Sequence, residues 1–360
     1  MDKARAVEHF LYYLAHHPAL GGLNCPTVLL GHTERYDAIA QAITQSSAAR
    51  FNFQVQRLDL ADSDSLAQAI EACDLYLFLY DSSTLPNPRA EGPDFIRALQ
   101  GVMAEHWKKS LLFKDYGDYF YDTFSVEPQR IADLNATLIR RMSQATVLSF
   151  TDKHGSRLQA PMSSIKKWTN INGIGNHDLA PGEIATHSEA INGQVRFVGT
   201  FLSTIPFARK YGVLQSPLEL WIENSTICSV ASDVPGLADD FNKYLNANPS
   251  NRRVEELGIG TNEGVKDLYA RNAGFEERHC GLHLGLGGGA KGSQIEVRLD
   301  SPTGPLVATV DIAHTGDWGK FMENKAKLTP TPGRHDVYLV LTNPKKGGGL
   351  MNVDWVEFGQ

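Results

Sequence analysis

The chain has 360 residues and a formal net charge of −7, with 42% hydrophobic and 21% charged residues. This balance is typical of a globular protein with a real core, and the length allows two or three domains. The acidic balance argues against nucleic-acid and anionic-membrane partners, because basic residues form only short pairs such as Lys108-Lys109. No apolar run could span a bilayer, and the first residues lack the apolar core of a secretory signal.

The four cysteines are scattered, with no Cys-x-x-Cys spacing: Cys25, Cys73, Cys228 and Cys280. Such spacing predicts free, mostly buried thiols in a reducing compartment. We therefore expect a cytoplasmic protein.

Residues 1–145 alternate between strand and helix patterns. Strands are predicted at 27–31, 51–58, 74–80 and 111–113, and helices at 36–47, 66–72, 95–108 and 128–143. The continuous apolar run at 74–80 is typical of a strand covered on both faces. This alternation predicts an α/β domain with a mostly parallel, open sheet. The turn after the first strand has no GxGxxG or Walker pattern, so a nucleotide site is not supported.

From residue 146 the pattern changes to short strands separated by Gly, Asn and Asp. Strands are expected at 145–150, 156–159, 194–201, 218–222 and 226–230, and a helix at 236–246. Asn192-Gly193 predicts a hairpin turn before one of these strands. We interpret residues 146–287 as a β-rich α+β domain.

Three segments of this domain place polar groups among apolar and Gly residues. Glu183 follows a Pro-Gly turn, Glu255 and Glu256 enter a Gly-punctuated apolar run, and His283 is flanked by leucines. A carboxylate in such surroundings is costly unless it is paired or metal-bound. Two carboxylates and an imidazole suit Zn²⁺, Mn²⁺ or Fe²⁺. Taken singly, the same residues are also explained as a turn cap (Glu183), a solvated acid (Glu255) and a core histidine (His283).

Residues 151–158, 181–186, 251–262 and 283–287 resemble the metal-binding domain of the aminopeptidase T/S-like metallopeptidase superfamily. Residues 1–145 fit its α/β N-terminal domain. The resemblance implies that Glu183, Glu256 and His283 help to hold a two-metal centre that acts on peptides. For such a hydrolase we expect Glu255 or a bound water to serve as the base. It also implies a homodimer. In the related 2,5-dihydroxypyridine 5,6-dioxygenases, the position of His283 belongs to a mononuclear iron site that opens a small aromatic ring.

The chain departs from both branches after His283. Both complete their site with a His-x-Asp pair, and no His-x-Asp follows His283 in this sequence. We therefore expect an incomplete metal site, in which the three remaining residues hold one divalent metal weakly or the metal has been lost.

Residues 288–294 have linker composition, and residues 295–360 follow an all-β pattern. The segments 295–306, 310–318, 333–340 and 351–358 resemble the second half of a family 6 carbohydrate-binding module, a jelly-roll-like sandwich. The resemblance implies that Trp318 stacks on a sugar ring and that Asn352 hydrogen-bonds it, with a polysaccharide as partner. A core position for Trp318 is the alternative. Half a sandwich leaves open edges and an uncovered apolar face.

These observations leave three functional hypotheses. The first is a metal-dependent, aminopeptidase-like hydrolase fused to a partial carbohydrate-binding module. The second is a carbohydrate-binding protein that uses Trp318 and Asn352 without catalysis. The third is an iron-dependent dioxygenase of the dihydroxypyridine type. A folded relic with neither activity is the remaining alternative.

Overall fold

The computed structural model describes residues 2–46, 50–81, 94–115, 119–165, 167–201, 207–247, 249–268, 277–287, 293–312, 323–343 and 356–358. The α-helices, numbered in chain order, are α1 Lys3–Ala15, α2 Asp37–Ser46, α3 Ser63–Ala72, α4 Asp94–Ala98, α5 Gln100–Glu105, α6 Phe120–Thr123, α7 Pro128–Met142, α8 Ala208–Tyr211 and α9 Leu237–Ala247. The strands are β1 Thr27–His32, β2 Asn52–Arg57, β3 Leu75–Tyr80, β4 Ser110–Lys114, β5 Val147–Thr151, β6 Arg157–Pro161, β7 Thr169–Ile171, β8 Glu183–Thr186, β9 Asn192–Phe197, β10 Leu218–Glu223, β11 Thr226–Ser232, β12 Val254–Gly260, β13 Gly281–Leu286, β14 Gln294–Leu299, β15 Leu306–Asp311 and β16 Val337–Thr342.

The first sheet is parallel, in the order β2-β1-β3-β4. Every residue of β3 is buried, because helices cover both faces of the sheet. Leu75, Leu77 and Leu79 pack in the cluster that contains α1 and α2, whereas Tyr76 and Phe78 pack against α3. The predicted open, parallel α/β sheet is confirmed.

Local signals explain several of these helices. Asp62 caps α3 by accepting a hydrogen bond from the Ser65 amide (3.1 Å). The helix expected at 95–108 is instead two short helices, α4 and α5, that meet at buried Leu99. Helix α1 was not predicted, although Asp2 caps it and its buried face includes Phe10 and Leu14.

The second sheet is antiparallel, in the order β11-β10-β9-β6-β5, and α9 packs on it through Phe241 and Leu245. The predicted turn at Asn192-Gly193 is wrong, because both residues lie within β9 and Gly193 pairs with Leu158 of β6. The tight turn lies instead between β10 and β11. There Asn224 and Ser225 both have positive φ (46° and 56°), as a type I′ turn requires.

The third sheet is antiparallel, in the order β13-β12-β8-β7. It contacts the first part of the chain through α7, where buried Asn135 donates to the Glu183 carbonyl (3.1 Å) and accepts from the Thr261 hydroxyl (2.6 Å). The predicted β-rich α+β character of this region is confirmed by both antiparallel sheets.

The C-terminal sheet has the order β15-β14-β16 and is antiparallel. Val297, Leu299 and Val307 are buried on one face, where Leu328 packs against them. In the described part of this segment β15 and β16 are outer strands, and they expose Leu306 (48%) and Val337 (46%). This all-β half-sandwich agrees with the prediction.

All four cysteines are free, as expected, but only Cys73 is buried. The prediction of mostly buried thiols is therefore wrong for Cys25, Cys228 and Cys280. Within the described residues, no helix is both long enough and apolar enough to cross a membrane.

Candidate metal centre

The three predicted metal ligands lie on three adjacent strands of the third sheet. Glu183 begins β8, Glu256 lies in β12 and His283 lies in β13. In the strand register Glu183 is opposite Gly260, His283 is opposite Gly258, and Glu256 is opposite Gly285. Each ligand candidate therefore has a glycine beside it on the neighbouring strand.

Two of these glycines make the room in which the side chains meet. A Cβ atom added at Gly258 would stand 1.8 Å from Nε2 of His283, and one at Gly285 would stand 2.7 Å from Oε2 of Glu256. Both distances are far below van der Waals contact, so no larger residue fits while these side chains keep their positions. Gly258 and Gly285 thus form a cradle, which is a space free of their own side chains that His283 and Glu256 occupy.

A separate contact with Asn262 fixes the start of β8. Gly182 has φ +110°, and a Cβ there would stand 2.5 Å from Cβ of Asn262. The buried Asn262 amide donates to the carbonyl oxygens of Pro181 (2.9 Å) and Thr123 (2.8 Å). Glu183 enters the sheet next to this anchor and is only 2% exposed.

The three ligand atoms lie within 4.8 Å of one another, the only such group of His, Cys, Asp or Glu among the described residues. Nε2 of His283 lies 3.0 Å from Oε1 of Glu183. Metal bonds to nitrogen and oxygen are about 2.0–2.2 Å long, so donors on one ion lie at most about 4.4 Å apart. The spacing, the donor types and the glycine cradle therefore fit a divalent ion after a small side-chain movement.

A buried ion-pair network surrounds this group, and sequence reasoning missed its centre, Arg278. Arg278 is 2% exposed; it pairs with Glu183 through Nη1 and donates to Oδ2 of Asp178 through Nη2 (2.5 Å). Nη1 also lies 3.1 Å from the Glu277 carboxylate, and Nε donates to the Ala180 carbonyl (3.0 Å). The available signal was the Glu277-Arg278 pair just before the apolar strand of His283.

The electrostatics follow from burial and this network. Burial raises the pKa of Glu183, but the hydrogen bond with His283 and the charge of Arg278 outweigh burial and hold that pKa below its usual value. Burial lowers the pKa of His283, but the hydrogen bond with Glu183 and the nearby carboxylates outweigh it and raise that pKa. Burial raises the pKa of both Glu256 and Glu277. Burial thus favours the neutral form of these two carboxyl groups.

Glu255, the predicted base, lies outside the group of three ligand atoms. Its carboxylate is 3.5 Å from Nδ1 of His187 and 3.8 Å from Nε of Arg253. The irregular register between Val254 and Glu256 places Glu255 at a bulge of β12. Its role as base stays a prediction.

The predicted sugar-binding residues Trp318 and Asn352 lie outside the described residues. Near them in sequence, His335 is described, and its Nδ1 lies 3.0 Å from Oδ2 of Asp300. The adjacent His335-Asp336 pair therefore has its own partner in the C-terminal sheet. Neither His335 nor Asp336 belongs to the group of possible metal ligands found among the described residues.

Comparison with known proteins finds relatives of two kinds. Residues 285–360 match the model of the family "Carbohydrate binding module (family 6)". Curated relatives include an arabinoxylan arabinofuranohydrolase of Paenibacillus polymyxa, 40% identical over 159 residues (38% of this chain, 24% of that protein). Another is the endo-1,4-beta-xylanase A of Thermoclostridium stercorarium, 35% identical over 66 residues (18% of this chain, 12% of that protein). The chain thus spans a quarter or less of the length of these relatives.

The solved structure of wild-type AmpT from Thermus thermophilus has the same fold, with a TM-score of 0.50 and 13% identity, over 79% of this chain and 86% of AmpT. A 2,5-dihydroxypyridine dioxygenase from Pseudomonas putida KT2440 matches 72% of this chain and 77% of its own, at 16% identity and a TM-score of 0.44. The chain therefore combines an AmpT-like fold with a segment that matches the model of family 6 carbohydrate-binding modules.

Proposed function

We propose that the chain is a metal-dependent hydrolase of the aminopeptidase type, whose metal is held by Glu183, Glu256 and His283. The observation that carries the proposal is the meeting of these three side chains within 4.8 Å, in a cradle made by Gly258 and Gly285. The AmpT-like fold supports the proposal only as the scaffold on which such a site is expected.

The chemistry assigned to these residues is limited. A divalent ion bound here would polarise a substrate carbonyl and acidify a water molecule. Glu183 and His283 orient each other through their hydrogen bond, and Asn135 holds the backbone carbonyl of Glu183. Glu255 is proposed as the base that accepts a proton from water. Nδ1 of His187 bonds the Glu255 backbone carbonyl (2.8 Å), and Nε of Arg253 lies 3.8 Å from the Glu255 carboxylate. The substrate class proposed is a peptide with a free N-terminus.

The absence of a His-x-Asp after His283 supports a weakened or incomplete site compared with the two-metal expectation. Ring opening at iron stays an alternative prediction, with a small aromatic substrate. The homodimer also stays a prediction. The four free thiols support a reducing, cytoplasmic location as part of this proposal.

A second function is favoured by a separate observation. Residues 285–360 match a carbohydrate-binding family, and two relatives are named for arabinoxylan and xylan hydrolysis. We infer that this segment binds a xylan-like polysaccharide through Trp318 and Asn352. An aromatic plate beside an amide suits the apolar face and hydroxyl rim of a sugar ring.

The first experiment is elemental mass spectrometry on full-length protein purified without chelators and without a His-tag. We expect co-purifying Zn, Mn or Fe, with peptidase activity on aminoacyl anilides after reconstitution with the same metal. Protein that stays metal-free after reconstitution would rule out the metal centre. Metal without peptidase activity would leave the centre and reject the peptide substrate.

A further inference from the structure

Arg278 is a permanent positive charge built into the candidate metal centre. It is 2% exposed, and all three guanidinium nitrogens have partners: Ala180, Asp178, Glu183 and Glu277. A guanidinium with this many hydrogen bonds is held rigidly and stays protonated. Moving the guanidinium out of the site would break its hydrogen bonds with these four residues.

This arrangement divides the two oxygens of Glu183. Oε2 pairs with Arg278, and Oε1 lies 3.0 Å from Nε2 of His283. Only Oε1 therefore faces the side on which His283 and Glu256 meet. A carboxylate that bridges two metal ions with one oxygen on each needs both oxygens free, and Oε2 of Glu183 is already paired with the guanidinium.

The positive charge of Arg278 also favours a single metal ion. Arg278 is one fixed cation in contact with the carboxylates of Asp178, Glu183 and Glu277. Like charges that are poorly solvated repel strongly. A second divalent ion bound to Glu183 would stand next to the Arg278 cation and would be repelled by it.

We propose that Arg278 is a positioning residue that stands in for a second cation, so that the site binds one divalent metal ion through Glu183, Glu256 and His283. The inference rests on the proposed metal centre and goes further by fixing its metal count and the residue responsible. It agrees with the single metal expected from the missing His-x-Asp, and it differs from the two-metal centre that the family resemblance implies.

The test is a Mn²⁺ titration of the full-length protein, with isothermal calorimetry for stoichiometry and electron paramagnetic resonance for the coupling between ions. We expect one Mn²⁺ per chain and the spectrum of an isolated ion. Two ions with an exchange-coupled spectrum would overturn the inference and leave the proposed metal centre standing. No binding at all would reject the metal centre and the inference with it.

Variants assign the effect to Arg278. Arg278→Ala frees Oε2 of Glu183 and raises the negative charge, so the stoichiometry should rise from one to two. Arg278→Lys keeps one charge and should stay at one. Arg130→Ala, which removes an exposed arginine paired with Glu263, is the control and should also stay at one. Saturation of folded Arg278→Ala at one ion would overturn the role of Arg278; if that variant does not fold, the wild-type spectrum alone decides the metal count.

Discussion

His283 lies across Gly258 of the neighbouring strand, so closely that a methyl group on residue 258 would stand 1.8 Å from Nε2. The two residues are partners in the register of β12 and β13. The position of the imidazole therefore depends on a missing side chain as much as on any contact. This relationship gives a test that leaves all three metal ligands in place.

Gly258→Ala should displace the His283 ring and weaken metal affinity roughly tenfold or more, as expected when the support of a ligand is lost. Stability should change by only about 1 kcal/mol, because a strand accepts Ala and the ring can turn away. Calorimetric metal titration and urea unfolding measure the two effects. The control is Gly101→Ala on α5, where a Cβ meets open space. Equal metal affinity of Gly258→Ala and wild type would contradict the cradle.

His283→Ala removes the imidazole itself. We expect metal content after dialysis to fall sharply, together with the thermal stabilisation that added metal gives the wild type, because binding to the native state is linked to folding. Elemental analysis and thermal unfolding with and without metal provide the readouts. His335→Ala, whose imidazole pairs with Asp300, serves as the matched control. Unchanged metal content in His283→Ala would remove His283 from the site.

Asn262→Ala should destabilise the fold by about 3 kcal/mol, since it leaves buried carbonyls and one amide without partners. The Asn262 side chain bonds the carbonyls of Thr123 and Pro181 and accepts from the Gly264 amide (2.9 Å). Urea denaturation measures the loss. Asn52→Ala, on an exposed side chain, should cost far less. Similar costs for the two variants would argue against Asn262 as an anchor.

His17 predicts a pH dependence of stability. Burial, and then the nearby His177, lower its pKa from 6.5 to about 4. Between these values the unfolded chain binds more protons than the folded one, so stability is full above pH 6.5 and is lost as the pH falls towards 4. A pKa unit corresponds to about 1.4 kcal/mol, so the loss between pH 7 and pH 5 is about 2 kcal/mol.

His17→Asn keeps an acceptor for the Ala19 amide, which Nδ1 now binds at 3.1 Å, and removes the titrating group. Urea unfolding of this variant at the two pH values should show a correspondingly flatter dependence. His16→Asn, at an exposed neighbouring position, should keep the wild-type slope. A wild-type slope in His17→Asn would assign the acid sensitivity to other groups.

Trp318→Ala should abolish retention on xylan in affinity electrophoresis, because the stacking plate for the sugar is removed. Trp107→Ala, at a 56% exposed position far from this segment in sequence, is the control and should be retained like the wild type. Equal mobility of the wild type with and without xylan would end the carbohydrate-binding proposal.

Sequence reasoning succeeded where the signal is local. The apolar run of β3 and the Asp62 cap of α3 identify their elements within a few residues. It failed at Asn192-Gly193, because a dipeptide typical of turns can also lie in a strand when its neighbours pair on both sides. The Glu277-Arg278 pair alone could not predict the contact of Arg278 with Glu183, since these two residues are 95 residues apart and meet only through the pairing of β8, β12 and β13.

The Asn135 side chain links helix α7 to strand β8, because it bonds Asn170 (2.8 Å), the Glu183 carbonyl and Thr261. A chain shortened to begin at residue 146, the predicted domain boundary, would lose this amide and open the Glu183 backbone to water. Helix α7 therefore supports the strand that carries Glu183. Expressing the β-rich region alone would keep Glu183, Glu256 and His283 but would remove the hydrogen bond from Asn135 to the Glu183 backbone.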